Sequence, residues 1–110
     1  AAFRDAYRAM LGSVLALAKP TAICTIYDMI PDLGGAERAA LAGFNDVISR
    51  AAAGAGVPLL DLRVICSQPG DYSPLSSIEP SVSGGAKIAD AIRRVVTGHD
   101  FTKTGCVVYV

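Results

Sequence analysis

The chain has no tryptophan and a single histidine, His99, among 110 residues. One imidazole leaves no histidine pair to hold a metal, and only one group of that kind to activate a nucleophile. Three cysteines, Cys24, Cys66 and Cys106, have neither an even count nor metal-ligand spacing, so no disulfide framework or zinc site is expected. Reducing, cytoplasmic conditions are the default for such a chain. Ten basic residues balance ten acidic ones, and no basic run or basic-aromatic interleaving appears, which excludes the field that nucleic acid requires. The longest strongly apolar stretch, Met10 to Ala18, is too short to span a bilayer, so no membrane span is expected. Gly34-Gly35 and Gly84-Gly85 match neither the dinucleotide fingerprint nor the P-loop. Charged residues make up only 18% against 52% hydrophobic, and part of the apolar surface is therefore expected to be covered by another polypeptide.

What is present is a helix and strand alternation. Phe3, Tyr7, Met10, Leu11, Val14, Leu15 and Ala18 recur at helical spacing before Pro20, predicting an amphipathic helix over residues 3–18. Thr21 to Tyr27 is a continuous β-branched apolar run, the pattern of a parallel strand covered on both faces. A second helix is predicted over 36–54 on the stripe Leu41, Phe44, Ile48 and Ala51 or Ala52, capped by Gly54 or Gly56. Val57 to Leu62 is the second strand, and strand, helix and strand in this order make a right-handed parallel unit. Residues 64–80 carry three prolines with several serines and read as a long loop leaving the carboxyl end of a strand, where ligands bind in open α/β sheets. Ser81 or Ser83 caps a last helix with the stripe Ile88, Ile92, Val95 and Val96, ended by Gly98. Cys106 to Val110 reads as an edge strand.

The segment Ser76-Ser77-Ile78-Glu79-Pro80-Ser81, followed by Ser83 to Ile92, resembles the last motif block of the SGNH hydrolases, the GDSL esterase/lipase family. That block reads Asp-x-x-His-Pro before the final helix, so Ser76 stands at the family's Asp position and Glu79 at its His position. Pro20 to Asp28, Asn45 to Ile48 and Gly56 to Leu62 follow in the family's order and spacing, while no Gly-Asp-Ser and no Gly-x-Asn-Asp occurs. The resemblance implies a three-layer, flavodoxin-like α/β fold, of which residues 1–110 are the C-terminal part of one domain. It also implies ester or acyl hydrolysis by a serine, without metal or organic cofactor, with the nucleophile outside this sequence. The partner implied is then the N-terminal half of the same protein or a second copy, and the chain alone is expected to be inactive. The other reading is a non-catalytic ligand-binding or protein-interaction module on the same scaffold.

Read as chemistry, Glu79 is a carboxylate in a Pro/Ser-rich loop just before a helix. It serves either as a solvated or ligand-binding carboxylate, or as a general base opposite a serine from elsewhere; carboxylates take a serine proton poorly near neutral pH, which favours the first role. Ser76 and Ser77 lack a nearby histidine and suit capping or turn roles. His99 follows the last helix and is expected at the opposite edge of the sheet. Tyr27, Asp28, Asp71 and Tyr72 are expected to face one crevice with Glu79, fit for a small ester or a polyhydroxylated, glycan-like ligand. Turn chemistry is the plainer account of Asp28 and Asp71.

Overall fold

The computed structural model describes residues 2–110 and shows an α/β domain in which a small parallel sheet lies between helices. Helix α1 (Ala2–Leu15) precedes strand β1 (Ile23–Cys24), and helix α2 (Gly35–Ala55) connects β1 to β2 (Leu59–Leu60). A short helix α3 (Leu62–Ile65) and a 3-10 turn (Pro69–Asp71) follow, then α4 (Val82–Gly98) and strand β3 (Val108–Tyr109). The sheet order is β1-β2-β3, with both pairs parallel and Ile23 opposite Leu59, Leu59 opposite Val108.

Alternation of side chains sorts the layers. Ile23 and Leu59 pack with Leu11 of α1 and Ile48 and Ala52 of α2, so α1 and α2 share one face. Leu60 packs with Ala91 and Val95 of α4, and Tyr109 joins them, so α4 covers the other face. The steps β1 to β2 and β2 to β3 therefore run in one direction across the sheet while crossing on opposite faces, which gives the two connections opposite hands. One of the two therefore departs from the usual right-handed preference.

The sequence limits are adjusted by local chemistry. α1 stops at Leu15, and Ala18 adopts a left-handed backbone, φ 54°, that ends the helical path before Pro20. Gly56, rather than Gly54, caps α2 with φ 67° and donates its N–H to the carbonyls of Ala52 and Ala53, a conformation that favours glycine. Ser81 caps α4 by accepting the Gly84 N–H. The predicted stripe of α4 is shifted: Ala91 and Val95 are buried, whereas Val96 is 71% exposed and Ile92 also points outward. The strand runs at 21–27 and 57–62 hold only two paired residues each, because Leu62 already starts α3 and Ile26 is bonded to a side chain instead of a strand. The long loop at 64–80 is partly structured, containing the end of α3 and the 3-10 turn. β3 is an edge strand as expected, beside β2. Among the described residues no helix is long and apolar enough to cross a membrane.

Candidate functional site

Two strands end at the same level, and their last side chains build the floor of the site. The Thr25 hydroxyl donates to Asp61 Oδ1 at 3.1 Å and accepts from the Leu62 N–H at 2.8 Å, tying the end of β1 to the start of α3. Asp61 caps α3 by accepting the Arg63 N–H, and the Arg63 guanidinium returns to both carboxylate oxygens at 2.8 and 2.9 Å. These Arg63 bonds, helped by the Thr25 hydroxyl, hold the Asp61 carboxyl below the usual carboxylate range against the opposing effect of burial. Asp61 thus has a structural role.

The loop that leaves α3 folds back over this floor. Asp71, 2% exposed, receives Lys87 Nζ at 2.6 Å and the Gln68 N–H at 3.0 Å. The Lys87 bond, with the Gln68 N–H behind it, depresses its pKa despite burial. The Asp71 carbonyl accepts the Ser81 N–H, and the Ser81 hydroxyl donates to the Gly70 carbonyl at 2.6 Å. Gly84 lies so close to the Asp71 carbonyl that a Cβ there has no room. The loop is thus pinned to the first turns of α4 through Asp71 and its neighbour Gly70.

Two tyrosines join the loop to the segment after β1. Tyr27 donates to the Ile78 carbonyl at 2.7 Å, and its ring meets Tyr72 edge to face with centroids 5.5 Å apart. Tyr72 donates to the Cys66 carbonyl at 2.8 Å and accepts the Met29 N–H at 3.0 Å. Burial pushes its phenol up to about 12, so it stays protonated across the physiological range. Burial also raises Tyr27, with Cys66 and Glu79 adding to the effect. Ser76 and Glu79 are the two ends of one turn, closed by the Glu79 N–H to the Ser76 carbonyl at 3.0 Å, and the Glu79 carbonyl accepts the Ser73 N–H. An open cleft of about 610 Å³ lies alongside, walled by Pro31, Asp32, Tyr72, Ser73, Ser77 and Ser81 among others.

The structure brings Tyr27, Tyr72, Ser76 and Glu79 to the carboxyl end of the strands, with Asp28 half-buried there and its carbonyl held by Arg38. Asp71 is displaced from its expected place. Its carboxylate points under the loop rather than into a crevice, because Lys87 and the Gln68 N–H claim it. Tyr72 contributes its ring, its hydroxyl being committed in both directions. His99 lies at the other end of the sheet, its Nδ1 2.7 Å from the Tyr109 hydroxyl. Four polar residues that sequence reasoning passed over organise this end: Thr25, Asn45, Arg63 and Lys87. Asn45 carried a signal, since a polar residue three before Ile48 and four after Leu41 breaks an apolar helix face. Its amide, fully buried, holds both the N–H and the carbonyl of Ile26 at 2.7 and 2.8 Å. Arg63 and Lys87 carried none. Compared with known proteins, the chain matches no family model, no curated protein and no solved structure.

Proposed function

We propose that this chain is the C-terminal part of an SGNH-type serine hydrolase domain with a three-layer flavodoxin-like scaffold, acting on ester or acyl bonds of a small or glycan-like substrate. The observation that supports the reading is the bond from the Tyr27 hydroxyl to the Ile78 carbonyl, which ties the turn carrying the exposed Glu79, the next residue, to the carboxyl end of the parallel strands just before the last helix. Ligands of open α/β sheets bind outside the carboxyl ends of the strands, the end at which this carboxylate stands. In this mechanism a serine from another stretch of polypeptide attacks the acyl carbon and its proton passes to Glu79. Glu79 returns the proton to the leaving alkoxide, and water then releases the acid and regenerates the serine. No metal or organic cofactor takes part.

The test compares hydrolysis of 4-nitrophenyl acetate by the chain alone and by the chain together with the polypeptide encoded before residue 1. The chain alone stays at the buffer rate, the combined protein turns over, and Glu79→Gln removes at least about 100-fold of that rate with folding unchanged, the scale of a lost general base. Turnover by the chain alone that disappears in Ser76→Ala or Ser77→Ala contradicts the reading. A second reading, a non-catalytic binding module, is favoured by the cleft itself, whose polar wall of Ser73, Ser77, Ser81 and Asp32 suits a hydroxylated ligand. It predicts that Glu79→Gln alters ligand affinity and that no combination of polypeptides hydrolyses the ester.

A further inference from the structure

β1 is at one end of the sheet, and only its side toward β2 is used. The N–H groups of Ile23 and Thr25 bond the carbonyls of Pro58 and Leu60, so the backbone groups of Ala22 and Cys24 point the other way. At Ile26 the same outward edge is already closed, because the Asn45 amide takes both its N–H and its carbonyl. What stays available is a stretch of two outward-facing residues. Nothing guards it: Thr21 to Tyr27 contains no charge and no proline, the devices by which edge strands refuse a neighbour.

α1 also carries exposed apolar side chains, Met10 at 48% and Val14 at 36%, on the stripe that begins with Phe3 against Phe44 of α2.

The layers tell which direction such a strand runs and where it leads. α1 and α2 lie on one face, and the α2 connection steps from β1 to β2. A connection through α1 of the same hand as the one through α2 steps in the same direction. A parallel strand feeding α1 must therefore stand on the opposite side of β1 from β2, which is where the open edge is. A second copy pairing antiparallel through β1 uses the same backbone groups but leaves this coincidence of helix face and open edge unexplained.

We propose that the open edge of β1 receives a single parallel, apolar β-strand, belonging to polypeptide that leads directly into α1, and that it pairs with Ala22 and Cys24 and is stopped at Ile26 by Asn45. The partner's role in catalysis rests on the hydrolase reading above; the strand itself does not.

The experiment co-expresses this chain with the polypeptide encoded immediately before residue 1 as a separate chain, and follows native mass and amide hydrogen exchange. A 1:1 complex is expected, with exchange at Ala22 and Cys24 slowed at least tenfold and exchange at Ile26 unchanged. Ala22→Pro removes an outward N–H that β2 does not use, and it abolishes the complex while the chain keeps its circular dichroism. The proposal is overturned if the preceding polypeptide leaves Ala22 and Cys24 unprotected, if no coding sequence precedes residue 1, or if the chain alone protects both amides as a homodimer. A complex that protects them without hydrolysing 4-nitrophenyl acetate keeps the strand and removes the hydrolase. Hydrolysis without protection does the reverse.

Discussion

The two ends of the sheet are built on different principles. At the carboxyl end stand four buried polar and charged residues, Thr25, Asn45, Asp61 and Asp71, while the buried Ser49 hydroxyl of α2 has no hydrogen-bond partner. Each of these four is fully engaged with a backbone group or an ion-pair partner. The amino end gathers the C-terminal ends of α1, α2 and α4 around an open cleft of about 350 Å³, with Lys19, Lys103 and His99 at its rim. Lysines there answer the partial negative charge of three helix ends with little desolvation, since they remain solvated. The comparison teaches that the protein concentrates its buried polar interactions where loops must be held still. Buried polar groups destabilise unless satisfied, and an end made only to close the fold has no use for them.

The largest effect expected is at Gly84. Gly84→Ala drives a methyl into the Asp71 carbonyl, which cannot move without releasing the loop, and should destabilise by about 3 kcal/mol in urea unfolding. A Gly84→Ala variant as stable as the parent would show the loop to be less tightly pinned than its hydrogen bonds indicate. Asn45→Ala comes next: it strands both polar groups of Ile26, and a loss of ~2 kcal/mol is expected. Lys87→Met leaves the Asp71 carboxylate without its cation, costing roughly 1–2 kcal/mol because Lys87 is itself partly solvated. The sharpening experiment is a pH series. Asp61 and Asp71 are both depressed in the folded protein, so their stabilisation is complete above the unfolded carboxylate value of about 4 and disappears as pH falls through the folded values. Asp71→Asn should flatten that acid limb, and an unchanged limb would remove Asp71 from the account. The smallest effect belongs to the amino end, where Tyr109→Phe loses one hydrogen bond to His99 and should cost under about 1 kcal/mol.

The order of elements was readable because apolar periodicity reports burial, and burial is what strands and helices share out. The stripe Leu41, Ile48 and Ala52, the cap at Ser81 and the break before Pro20 all follow from it. What escaped was pairwise and non-local. Nothing near Asp71 in the chain announces that Lys87, sixteen residues away, will claim its carboxylate and turn it out of the crevice. Glu79 and Tyr27 could be placed at the same end by the rule that parallel strands present their carboxyl ends together, but the Tyr27 bond to Ile78 required coordinates. The length of the strands was overestimated because side chains, Asn45 and Thr25, take over bonds that a sheet would otherwise make.

The long return from β2 through α4 to β3 has a consequence for how the chain acquires its form. The α2 connection closes β1 onto β2 over a shorter span than the α4 connection closes β2 onto β3, and closure entropy rises with span. The N-terminal unit should therefore assemble first, with the far side of β2 briefly bare until Val108 and Tyr109 arrive. During that interval one molecule's final strand can settle on another's β2, so refolding yield should fall as concentration rises, even though the finished fold gives no hint of that hazard.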